Sequence, residues 1–210
     1  MGIAVFVLGQ SGTGKTTSLR NFEPSEISIF NVAGKPLPFK KKLPCMNGAG
    51  YADIENYIKR PNGKKAYAID DSQYLMAFES FDKAKIKGYD KWTDIAVNFR
   101  NLVKTAISDT PKDTIVYFLH HSEIADDGAY KAKTLGKMLD TQLVIEGLFS
   151  IVLFTRVDNT GHWFITNSDG TNTAKSPMEM FEQKIPNDLK MVDQTIREYY
   201  GFIHAEPKAS

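Results

Sequence analysis

Apolar and polar positions along this chain fall into short blocks whose period switches between strand and helix. Ile3 to Leu8 is an unbroken apolar run rich in branched residues, the pattern of a strand buried on both faces. Similar runs at 27–32, 66–69, 115–119, 150–156 and 163–166 predict five more strands. Lys15 to Phe22 reads as a helix stopped by Pro24, and Asp53 to Arg60 as a second helix closed by Pro61-Asn62-Gly63. Ile95, Phe99, Leu102, Val103, Ala106 and Ile107 share one helical face, with Pro111 marking the exit. Ser176-Pro177-Met178-Glu179 has the form of a capping box with proline at the first helical position. Leu189, Val192, Ile196 and Tyr199 stripe a last helix, which Gly201 can cap. Asn159-Thr160-Gly161 is a hairpin signal between the last two strands.

Strands alternating with helices predict an α/β fold: one domain over residues 1–210, a mostly parallel central sheet, helices on both faces, and a C-terminal antiparallel hairpin. Within the sheet, the first strand is expected between the strands at 115–119 and 150–156.

The 26 basic and 25 acidic side chains nearly cancel, so any binding of a polyanion has to come from a local patch. The single cysteine, Cys45, cannot form an internal disulfide, and no Cys/His cluster has zinc spacing. The apolar start gives way at once to glycine and polar residues, the pattern of neither a signal peptide nor a membrane span. Gly2 is not a myristoylation signal, because position six is Phe6. A reducing, cytoplasmic setting without membrane attachment is expected.

The chemistry concentrates at Gly9-Gln10-Ser11-Gly12-Thr13-Gly14-Lys15-Thr16, between a buried strand and a predicted helix start. That spacing is the P-loop pattern, in which glycines let backbone N–H groups surround a phosphate. Lys15 is then expected to bridge β- and γ-phosphates, Thr16 to offer its hydroxyl to Mg²⁺, and Thr17 to continue the cradle; the cofactors predicted are ATP and Mg²⁺. Asp70, at the end of a strand, is the expected magnesium carboxylate. Asp71 is read either as a group that orients or deprotonates water, or as the cap of a helix starting near Ser72. At the tip of the 115–119 strand, Phe118-Leu119-His120-His121-Ser122-Glu123 offers His121 as a γ-phosphate sensor and Glu123 as a weaker candidate base.

Taken together, these blocks resemble the small phage-encoded RecA-like ATPases, a core-only group related to single-strand annealing and recombination proteins. The P-loop with Thr17-Ser18-Leu19-Arg20 carries the resemblance, as do Asn31 to Phe39, Ala68 to Leu75, Gly88 to Trp92, Phe118 to His121, Lys133 to Asp140 and Thr173 to Pro177. It implies a P-loop NTPase with a RecA-like sheet, an ATP-dependent role on single-stranded DNA in phage replication or recombination, and a homo-oligomer. Lys175 matches the lysine that reaches a neighbouring subunit's γ-phosphate in that group. Two departures stand out. Asn31-Val32-Ala33-Gly34-Lys35 carries no acid where the pattern has a catalytic glutamate, and the P-loop strand starts at residue 3, so a filament hooked through an N-terminal extension is not expected.

Single-stranded DNA is expected at the segment after His121, where Tyr130, Lys131, Lys133 and Lys137 could stack a base and hold a backbone. The run Lys40-Lys41-Lys42 reads more simply as a solvated surface. Two rival functions remain: an ATP-switched helicase loader or adaptor with little hydrolysis, and a nucleotide kinase, which five scattered arginines disfavour.

Overall fold

The computed structural model describes residues 1–60, 62–88, 90–135 and 143–203. Among them are nine strands: β1 (Ile3–Gly9), β2 (Ile27–Asn31), β3 (Cys45–Asn47), β4 (Ala66–Asp70), β5 (Ile115–Ile124), β6 (Tyr130–Ala132), β7 (Ile151–Asp158), β8 (Gly161–Ile165) and β9 (Lys184–Pro186). The α-helices are α1 (Tyr51–Ile58), α2 (Gln73–Asp82), α3 (Asp90–Ser108) and α4 (Leu189–Tyr199). The sheet runs β3-β2-β4-β5-β1-β7-β8-β9, with β6 paired to the far end of β5. From β3 to β7 in that order all pairs are parallel, while β8, β9 and β6 join antiparallel. The chain is therefore α/β with a mostly parallel sheet, and β1 lies between β5 and β7 as its sequence predicts.

The period-two alternation of β1 divides the core between two faces. Ala4, Phe6 and Leu8 face α1, α2 and α3, whose Ile54, Met76, Phe99 and Leu102 are fully buried. Val5 and Val7 face Phe22 and the Leu189, Val192, Ile196 stripe of α4. Burying three such side chains stabilises the docking of α4 by about 1.5–3 kcal/mol each. Tyr199, the fourth member of the predicted stripe, is exposed at the end of α4.

Three local expectations are corrected. The helix predicted at 15–22 is only a 3-10 turn, Thr16–Leu19; its later bonds span three residues, Arg20 N–H to Thr17 O and Phe22 N–H to Leu19 O. The capping box at Ser176 starts no helix. Glu179 has φ 61, which the right-handed helix cannot accommodate, and the chain turns there toward β9. Residues 115–119 extend to Ile124 and fold back through β6, so the segment after His121 is a hairpin rather than an open loop as far as Ala132. No helix among the described residues is long and apolar enough to cross a membrane.

His120, one of the pair at the tip of β5, belongs to this core. It is fully buried, its ring centroid 4.9 Å from that of Phe6, with Nε2 2.8 Å from the Lys133 carbonyl and Nδ1 2.9 Å from Ser72 Oγ. The carbonyl can only accept, so Nε2 carries the proton and Nδ1 accepts from Ser72. Burial pushes the His120 pKa from 6.5 down to about 3, against the opposing pull of the Lys133 carbonyl. A depressed folded-state pKa gives stability that is present above pH 6.5 and is lost as pH falls from there toward 3, because only the unfolded chain accepts the proton. At about 1.4 kcal/mol per pH unit, roughly 3 kcal/mol should disappear between pH 6.5 and pH 4. His120→Gln, which keeps a donor and an acceptor, should flatten that dependence in urea unfolding at pH 7 and pH 4; an unchanged slope would clear His120 as its source.

Candidate functional site

Parallel register brings the C-terminal ends of β1, β2, β4 and β5 to one edge of the sheet. Gly9 stands opposite His121 and Asn31 opposite Asp70. At this edge lies a cleft of about 240 Å³, bounded by the glycine-rich loop (Ser11, Gly12, Gly14, Lys15, Thr16, Thr17), the connection after β2 (Lys35, Pro36, Pro38), and Asp70, Asp71 and His121. Residues far apart in sequence thus converge where open parallel sheets commonly bind ligands.

The loop is shaped by close contacts and left-handed glycines. A Cβ on Gly9 would sit 1.7 Å from Thr155 Oγ1 and 2.7 Å from Thr13 Oγ1, so only glycine passes between them. The Thr13 and Thr155 hydroxyls are 2.6 Å apart and tie the loop to β7. Gly12 and Gly14 adopt φ values of 81° and 97°, a region that favours glycine. Gly14 also leaves room for His162 and Asn187, which would lie 3.0 and 3.1 Å from its Cβ. Gln10 and Ser11 are exposed at the loop's crest. The four-residue turn that follows is too short to carry a substantial macrodipole, so the loop's amides and Lys15 are left to attract an anion.

Lys15 is buried, and its Nζ donates to the carbonyls of Gly9 and Gln10, each at 2.9 Å. Burial lowers its pKa to about 8, although Asp71 and Asp70 pull it upward. Thr16 Oγ1 donates to Asp70 Oδ1 at 2.8 Å, which leaves the hydroxyl lone pairs available to a cation. Burial raises the Asp70 pKa to about 6, opposed by Thr16 and reinforced by the neighbouring Asp71 charge. A buried carboxylate with so little counter-charge suits a cation ligand. Among the described residues no group of three or more His, Cys, Asp and Glu could hold a metal by itself. Thr16 and Asp70 would therefore share any cation with water and with the bound ligand's own oxygens.

Asp71 has the left-handed backbone φ of 59° and does not cap α2. Its carboxylate accepts from Lys35 Nζ at 2.9 Å and from His121 Nε2 at 3.1 Å. Burial alone would raise its pKa, but the bonds from His121 and Lys35 hold it down at about 2. Because neutral His121 spends its one N–H on Asp71, it cannot donate to a phosphate at the same time; only the protonated ring could do both. His121 is thus in the cleft as predicted, but its first partner is a carboxylate.

The remaining predicted residues lie elsewhere. Lys175 is paired through its backbone with Val152, at 2.9 and 2.8 Å, and is not among the residues lining the cleft. Glu123 pairs with Lys131 at 3.4 Å on the β5–β6 hairpin. Tyr130 is half-buried, its ring centroid 5.1 Å from that of Phe154 and its N–H bonded to Thr171 O. Lys133 is exposed just past the hairpin, while Lys137 lies outside the described residues. Sequence reasoning missed Thr155, His162 and Asn187, which meet the loop only through tertiary packing, and Lys35, which reaches Asp71 in the same way.

Gly9→Ala is expected to cost about 1–3 kcal/mol of unfolding free energy through overpacking. Combining it with Thr155→Ala should recover part of that cost; the same penalty in both backgrounds would contradict the packing account. No protein-family model matches the chain and no curated protein is significantly similar to it, so what this cleft does has to be inferred from its own residues.

Proposed function

We propose that the cleft binds Mg-ATP and that the chain is a P-loop ATPase acting with single-stranded DNA, as a homo-oligomer, in phage replication or recombination. One juxtaposition carries the nucleotide reading: the glycine-rich loop delivers Lys15 and Thr16 to the Asp70 strand tip, with Thr16 bonded to Asp70 at 2.8 Å. Lys15 has given two of its three hydrogens to loop carbonyls, so a phosphate oxygen can take the third or displace both acceptors. Thr16 and Asp70 would hold Mg²⁺, whose charge neutralises phosphate oxygens when it is bound. Asp71 and His121 form the pair suited to orient water and take its proton, with Asp71 keeping the ring aligned.

The loader or adaptor reading retains support from Asn31. This residue stands where the resemblance expects an acid, and its Nδ2 is committed to Lys35 O at 2.6 Å and Asn47 Oδ1 at 2.9 Å. Turnover without such an acid is expected to be slow. A kinase reading gains nothing, since no arginine is among the residues lining the cleft. Contact with DNA falls to Lys133 and the neighbouring hairpin, at the same edge of the sheet as the cleft.

Lys15→Ala should weaken nucleotide binding by about 10–100-fold, the worth of charge-assisted hydrogen bonds. Asp70→Asn should leave much of the binding intact while removing Mg-dependent hydrolysis. Turnover measured with and without single-stranded DNA, alongside oligomer mass from light scattering, tests the wider role. A rate and a mass indifferent to DNA, with no complex formed at low salt, would exclude it.

A further inference from the structure

Lys35 lines the same cleft as Lys15, on the connection that follows β2. Its main chain is firmly held. The Lys35 carbonyl accepts from the Asn31 amide at 2.6 Å, Gly34 N–H bonds Asn31 O, and Pro36 and Pro38 flank the cleft beside it. Its side chain is not held in the same way. It is 62% exposed, with Nζ 2.9 Å from Asp71 Oδ2 and 5.2 Å from the centre of the Tyr74 ring. A fixed backbone with a largely exposed cation at its tip is placed to deliver a lysine to an incoming anion.

Asp71 can release this lysine without being stranded, because His121 bonds its other oxygen. The lysine end of the pair is open to water although Asp71 is only 13% exposed, and a triphosphate offers that lysine a charge-assisted bond worth about 1.5–3 kcal/mol with more negative charge behind it. Charge balance points the same way. The cleft sets Lys15 and Lys35 against Asp70 and Asp71, and a triphosphate brought against Asp71 needs a cation between the two anions.

Resting on the nucleotide-binding reading above, we propose that Lys35 is a second phosphate-binding cation, one that leaves Asp71 to contact the terminal phosphate of a bound nucleoside triphosphate and so separates tri- from diphosphate. Lys15, at the root of the loop, serves both ligands; Lys35, reaching in from the connection after β2, serves only the longer one. When the terminal phosphate is lost, Lys35 returns to Asp71.

The test compares the affinity of the full chain for Mg²⁺ with a non-hydrolysable ATP analogue and with ADP, by calorimetry. Lys35→Ala should weaken the triphosphate about 10–100-fold and ADP by less than about 3-fold. Lys35→Arg should keep most of the preference. In Lys35→Ala/Asp71→Asn the preference should stay collapsed, which separates direct contact from mere disturbance of Asp71; its recovery in the double variant would overturn the proposal. Equal weakening of both nucleotides, or no change in their ratio, would do the same while leaving the nucleotide reading intact. Wild-type protein that binds neither nucleotide would remove both.

Discussion

Parallel pairing of β5 with both β4 and β1 is the constraint on which the cleft depends. In β1 the chain reaches the sheet edge at Gly9, opposite His121, and in β4 it reaches the same edge at Asp70, beside Asn31. A slip of one residue in either pairing would turn Asp70 or His121 to the other face and exchange polar groups with core. The apolar alternation of β1, with Phe6 and Leu8 on one face and Val5 and Val7 on the other, makes such a slip costly. Core packing and site geometry are therefore one specification: the residues that fill the two hydrophobic layers also level the strand tips.

That levelling forces charges together in a partly dry space, and their shifted protonation behaviour records the cost. Burial pushes Lys15 down to about 8 and Asp70 up to about 6, so each resists the charge that a ligand would need from it. Neither departs so far that it loses its charge at neutral pH. The site thus holds charges of both signs in one cleft, a cation against loop carbonyls and a carboxylate beside a hydroxyl. An anion carrying its own divalent cation would relieve both at once. This is a physical reason to prefer a magnesium–polyphosphate ligand over a simple anion, which would relieve Lys15 and aggravate Asp70.

The parts legible in sequence were those set by local pattern. Unbroken apolar runs announced the buried parallel strands, and the glycine spacing announced a tightly turning loop, though not its passage between Thr155 and Thr13. What failed to show was decided by contacts distant in sequence. Ser176 to Glu179 satisfies a helix-start pattern, yet Ser176 bonds Asn167, Glu179 turns left-handed and no apolar stripe follows to hold a helix down. Residues 15–22 have helical composition, but after one turn the chain must bury Leu19 and Phe22 beneath α4, and Pro24 ends any further winding. His120 and His121 are adjacent and chemically identical, and strand alternation alone separates them: one ring goes into the Phe6 and Phe99 layer, the other toward Asp71. Thr155 and Asn187 carry no motif, since their relation to the loop exists only after β7 and the segment before α4 have packed, and nothing in the block around Lys35 marks its side chain as the one that meets Asp71.

Asn31 shows how one polar side chain at a strand tip can propagate through a site. A carboxylate at that strand tip would lie beside Asp70 and add a third negative charge to a crowded edge, raising the Asp70 pKa further. The amide avoids that repulsion and uses its two hydrogens on Lys35 O and Asn47 Oδ1, fixing the connection from which Lys35 extends. The negative charge nearest the ligand space then falls to Asp71, whose left-handed φ turns it away from capping α2 and toward His121 and Lys35. Such a backbone costs about 1–3 kcal/mol for a residue other than glycine. It persists because three partners hold the turn: Lys35 and His121 on the carboxylate, and Tyr74 N–H on the Asp71 carbonyl. The amide at 31 is thus coupled to a lysine at 35 and an acid at 71, and substitution at any one of the three alters the surroundings of the other two.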